Sequence, residues 1–184
     1  MELDSMETYL AQIEMAVRTQ KNPDQSWSEV LRIARMSDHP LLALLDVSAE
    51  SDAIVKQVVE ILGKEPPPPD LTFVYFGLFD LLEGTDQQPS AGYYMAGGSA
   101  NDPAQALAVG DLSYFPDHRF LQSSLLDQIK EVGRQARDTQ TSVLDYAVML
   151  GAAATLAKAV ACRLGFNVPV FSGFDSGDFV QIAG

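Results

Sequence analysis

The chain has 184 residues, 47% hydrophobic and 20% charged, with 25 acids against 12 bases and a formal net charge of −13. That is enough chain to bury one sizeable core, and too apolar a composition for a disordered acidic tail. The charge argues against DNA or RNA as a partner, whose affinity comes from Lys and Arg neutralising phosphates, and against adsorption to anionic membranes.

In chain order, Leu3, Met6, Leu10, Ile13 and Val17 recur at helical spacing and predict an amphipathic helix ending near Lys21-Asn22-Pro23. Ser26-Trp27-Ser28-Glu29 has the form of a capping box and predicts the start of a second helix, with Val30 and Ile33 turned inward. Pro40 can open a short third helix over residues 41–45. A fourth, starting near Ser51, carries Ile54, Val55, Val58, Val59 and Leu62 to a stop at Gly63. Pro66 to Pro69 then form a stiff extended connector, since no proline can donate to a helix or a sheet ladder.

Strands follow the prolines. Residues 71–82 are apolar on both alternating faces, the pattern of a central strand covered on each side. Ala91 to Ala96 is its antiparallel partner, and Gly97-Gly98-Ser99 is expected to break that strand. Asp102-Pro103 and Gly110 bracket a brief helix over 104–109, and 112–115 supplies a third short strand closed by Pro116. Helical spacing resumes from Phe120 through Leu121, Leu125, Ile129 and Val132. A last helix runs from near Ser142 to Gly165, and its Gly151, Ala152, Ala153, Ala154, Ala157 and Ala161 let a neighbouring backbone come close. Its stretch 143–162 has the length of a membrane span, but holds Asp145 and Lys158 and draws much of its apolar count from Ala and Gly, so it reads as a buried soluble helix. Residues 168–171 and 179–182, joined through Gly173-Phe174-Asp175-Ser176-Gly177, form a terminal hairpin.

The fold expected is therefore α+β: an N-terminal helical segment (1–65), a proline connector (66–70) and a core (71–184). That core has an antiparallel or mixed sheet of about five strands with two long C-terminal helices packed on it. The alternative organisation is one continuous domain, 1–184. A single cysteine, Cys162, rules out an intramolecular disulfide and is expected to be a small buried hydrophobe. The opening Met-Glu-Leu-Asp lacks the basic and apolar runs of a secretory signal, which gives a cytoplasmic expectation.

Catalytic signals are sparse. His39 precedes Pro40 and reads as a surface cap; His118, in Pro116-Asp117-His118-Arg119, is the better general-base candidate because a neighbouring carboxylate can orient it. Asp175-Ser176-Gly177-Asp178 superficially resembles a calcium loop but lacks its further ligands, and reads as a hairpin turn. Gly97-Gly98-Ser99 resembles a phosphate cradle, with Asp102 where the phosphate would sit. Asp80 interrupts an apolar strand and is expected to turn toward water at the strand's end. Neither a cofactor nor a metal is called for.

Between Lys64 and Arg119 there are 54 residues without a Lys or Arg, and they hold half of the chain's aromatic residues. An acidic surface rich in Tyr attracts a basic protein. The sequence reading is thus a non-enzymatic interaction domain in which Glu83, Asp86, Asp111 and Asp117 surround a contact surface anchored by Tyr93, Tyr94 or Tyr114. A cytosolic bacterial immunity-type antagonist is its concrete form. The alternatives are a hydrolase or lyase using scattered carboxylates with His118, and a small-ligand or cation-binding domain.

Overall fold

A computed structural model describes residues 3–20, 22–80, 91–135, 142–175 and 177–184. The elements are helices α1 (Leu3–Thr19), α2 (Pro23–Ile33) and α3 (Val47–Lys64), strands β1 (Phe73–Asp80) and β2 (Ala91–Gly98), helix α4 (Pro103–Val109), strand β3 (Phe120–Leu121), helices α5 (Ser124–Gln135) and α6 (Ser142–Leu164), and strands β4 (Val170–Phe174) and β5 (Phe179–Ala183). The fold is α+β, with a five-stranded sheet in the order β3-β2-β1-β4-β5. β1 and β2 form an antiparallel pair with Phe73 opposite Gly98 and Asp80 opposite Ala91. β4 pairs with β1 in parallel, which makes the sheet mixed, and β5 returns antiparallel to β4.

The double apolar character of β1 has a direct structural outcome. Val74, Phe76 and Leu78 point into the main core shared with the helices. Phe73 and Tyr75 point the other way, into a smaller cluster with Tyr94, Ala96, Phe171 and the α4 residues Ala106 and Leu107. Along that second face the outer edge of the Tyr94 ring and its hydroxyl occupy the space a Cβ on residue 77 would need, so glycine there is a packing requirement.

Helix α6 is the hub. It contacts α1, α2, α3 and α5 on its outer sides and β1, β4 and β5 on the other. A helix surrounded in this way cannot be amphipathic, and its residues 150–157 are all buried. The segment Tyr146–Leu164 is long and apolar enough to cross a membrane, yet 72% of that window is buried within the fold. The Val30 methyls of α2 occupy the space a Cβ on Gly151 would need, a close approach that the absence of a side chain permits. Ile13, Val17, Trp27, Val30, Ile54 and Val58 of the first three helices share one continuous cluster with the sheet residues. A single core thus extends across the proline connector.

Several boundaries differ from the sequence reading, each for a local reason. α2 begins at Pro23, because Asn22 Oδ1 accepts from Gln25 N–H at 2.8 Å and caps the helix before Ser26 can. Ser26 instead turns inward and donates to Asn22 O. α3 starts at Val47 on the Asp46 cap and runs through Gly63. Residues 42–44 make one 3₁₀ turn. Gly97 and Gly98 remain in β2. Residues 112–115 form only a bridge, Gly97 to Tyr114, and the third strand is Phe120–Leu121, with α5 starting after it. β1 runs from Phe73 through Asp80, inside the 71–82 read from the sequence; residues 81 and 82 lie outside the described residues. Helix α4, with its Asp102 cap and left-handed Gly110 (φ 70°), forms where expected. The terminal hairpin also forms, but β4 starts at Val170 and takes in Gly173 and Phe174, which read as turn residues in the sequence.

Candidate functional site

After α4 the chain returns beside β2. Gly97 N–H donates to Tyr114 O, and Tyr114 N–H donates back to Gly97 O. Pro116 then interrupts pairing, having no N–H to give. The gap is closed from outside by Glu65 at the end of α3. Its carboxylate accepts from Asp117 N–H at 2.6 Å, from His118 N–H at 3.3 Å and pairs with His118 Nδ1 at 3.0 Å, while its carbonyl accepts from Tyr114 OH at 2.6 Å. The His118 contact, followed by the Asp117 amide, holds the Glu65 carboxyl below the usual carboxylate range. His118 is thus oriented by Glu65, far away in sequence, and not by the adjacent Asp117. Its ring is largely exposed, with side-chain accessibility of 67%.

The three tyrosines read as contact anchors are structural. Tyr93 is 1% exposed and donates to Ala153 O on α6; Tyr94 is 8% exposed and donates to Asp175 Oδ1; Tyr114 is 8% exposed and is tied to Glu65. For Tyr93 and Tyr94 the physical reason is that β2 lies one strand in from the sheet edge and is covered on both faces, so successive side chains are buried alternately, Tyr93 in the main core against α6 and Tyr94 in the aromatic cluster. Tyr114, on the segment bridged to Gly97, is turned into the main core with its hydroxyl on Glu65 O. Burial raises the phenol pKa of all three, reinforced for Tyr94 by Asp175 and for Tyr114 by Glu65. The expectation of an aromatic anchor at Tyr93, Tyr94 or Tyr114 is therefore corrected.

The acids behave differently. Asp111 and Asp117 are exposed, as are Asp70 and Asp102. All four belong to segments adjoining the Phe73–Gly98 end of the β1–β2 hairpin. Asp80 and Ala91 close its other end, roughly 23 Å away by the rise of an eight-residue strand. Glu83 and Asp86 lie outside the described residues. The one base of residues 66–122, Arg119, sits over the rings of Phe120 and Phe115, 4.7 and 5.6 Å from their centroids, and donates to Pro116 O.

The remaining candidates have structural partners. In the terminal hairpin, Asp175 accepts from Tyr94 OH and Asp178 from Tyr146 OH, both at 2.6 Å, with Tyr146 stacked on Phe174. Those carboxylates secure the turn, and no group of three or more His, Cys, Asp or Glu able to hold a metal occurs among the described residues. Gly98 faces the Phe73 ring and Gly97 the Phe73 carbonyl, so these glycines serve close packing. His39 Nδ1 accepts from Leu42 N–H, a capping contact. Cys162 is exposed, against the expectation of burial, because it lies on the outer face of the last turn of α6, whose other face keeps Val160 and Ala161 buried and Leu164 packed on the core.

Two surface features were not anticipated: the half-exposed Phe115 and Phe120 flanking Arg119, and the exposed Leu41 and Leu44 beside α5. The second had a sequence signal, since four leucines within residues 41–45 cannot all face one core from a single turn. Comparison with family models, curated proteins and solved structures finds no match to this chain.

Proposed function

We propose that the chain is a non-enzymatic acidic interaction domain whose Asp111 and Asp117, with Asp70 and Asp102 nearby, receive a basic protein partner. A cytoplasmic immunity-type antagonist that neutralises a toxin is the form that fits this reading. The observation that carries it is the exposure of these four carboxylates in a stretch with no Lys or Arg, while the tyrosines of the same stretch are turned inward. A one-signed surface acts mainly on encounter, raising association rates in a salt-dependent way.

The test is affinity capture of partners from the native cell at low salt, elution by raised salt, and kinetics with the captured protein. Asp111→Lys/Asp117→Lys is expected to slow association about tenfold at low salt and to flatten its salt dependence. Binding indifferent to both the substitutions and ionic strength would remove the acidic-surface reading.

A further inference from the structure

The run Leu41-Leu42-Ala43-Leu44-Leu45 folds as a 3₁₀ turn, in which residues three apart eclipse one another. Leu42 is consequently buried and Leu45 packs against the core, while Leu41 and Leu44 share the outer edge, 54% and 82% exposed. The turn is held firmly: Trp27 Nε1 donates to Leu42 O at 3.2 Å, Ala43 N–H donates to His39 O and Leu45 N–H to Leu42 O. Between this ridge and α5 runs a groove of about 230 Å³, walled by Leu41, Leu42, Leu44, Leu45 and Val132, with Gln128 and Glu131 at its α5 lip. A single exposed leucine needs no explanation; two on one rigid edge beside an apolar groove form a patch.

The charge around it selects the occupant. Glu131 stands at the groove itself, and Asp127, which also accepts from Ala91 N–H, lies one turn before it on α5 with Lys130 between them. The exposed Asp38 and Asp46, the latter capping Ala49 N–H, flank the leucine run in sequence, so acids outnumber bases about the groove. A second copy of this chain would set these acids against their own counterparts, on a molecule of net charge −13. We propose that the groove docks a basic amphipathic helix of the partner, one large apolar side chain entering between Leu44 and Val132 and flanking Lys or Arg meeting the acidic rim. This rests on the reading of the partner as basic, and supplies the anchor that the buried tyrosines do not.

The probe is a synthetic lysine-rich peptide with leucines at i, i+3, i+4 and i+7, compared with its scrambled sequence and with polylysine. Binding is followed by chemical shifts of the Leu41, Leu44, Leu45 and Val132 methyls and by titration. The ordered peptide is expected to shift these methyls and to bind about tenfold more weakly to Leu41→Ser/Leu44→Ser, whose exposed positions leave the melting temperature unchanged. Scrambled peptide and polylysine are expected to bind both forms alike. Asp111→Lys/Asp117→Lys should weaken polylysine binding and leave the preference for the ordered peptide intact. If polylysine ignores those acids while the ordered peptide still requires Leu44, the acidic-end reading fails and the groove stands. Equal binding of ordered and scrambled peptides overturns the groove, as does a concentration-dependent dimer of the free protein that Leu41→Ser/Leu44→Ser abolishes.

Discussion

A tyrosine carries its polarity at its tip, so it can be buried wherever the tip finds an acceptor. Tyr93, Tyr94 and Tyr114 each find one, at Ala153 O, Asp175 and Glu65 O. Counting aromatics in an acidic window cannot reveal this, because the acceptors come from 49 to 81 residues away. The acids were more legible: a carboxylate with no cation near it in sequence stays in water by default. Cys162 shows the opposite failure, since a small-residue helix implies burial while one face of its last turn is left open to water. An exposed lone thiol is expected to react with a thiol reagent in the native protein at the rate of an unfolded one, within about tenfold. Cys162→Ser should change stability by less than about 0.5 kcal/mol. A thiol that reacts only in denaturant would show that this face of α6 is covered as well.

At the scale of elements, what the sequence announced were those whose signals are local. α4 has its cap, its proline and its left-handed glycine within nine residues, and the terminal hairpin has its turn residues between two apolar runs. Boundaries chosen by competition between caps were not legible, as at α2, where Asn22 and Pro23 outcompete Ser26. The small-residue face of α6 was readable as a close approach, but not its partner, which is Val30 of α2. A methyl on Gly151 must displace the Val30 methyls inside a filled core, so Gly151→Ala is expected to cost about 1–3 kcal/mol in urea unfolding. In the Gly151→Ala/Val30→Ala variant the clash is relieved, and the loss should fall short of the two single losses added together by at least about 0.5 kcal/mol. Additive losses would mean that α2 and α6 are not in contact at this point.

For the molecule as a whole, the proline run divides the sequence more sharply than it divides the structure. The helices before it and the sheet after it meet on α6, and the fold can be only as independent on either side as α6 is covered. Domains of this size are stable by about 5–15 kcal/mol, and burying one large apolar side chain contributes about 1.5–3 kcal/mol. Removing residues 1–65 takes away Ile13, Val17, Trp27, Val30, Leu31, Ile54, Val58 and Ile61, all buried, and uncovers the α6 surface they touch. The same cut deletes Glu65, which holds Tyr114, Asp117 and His118 in place beside β2. Fragment 66–184 alone is therefore expected to bind a hydrophobic dye and to unfold without a cooperative transition. Adding the separately made 1–65 segment should restore cooperativity, because the complementary face is what the fragment lacks. A fragment 66–184 that unfolds cooperatively by itself, without dye binding, would instead make the first three helices an appendage, and α6 would have to be stable with one side in water.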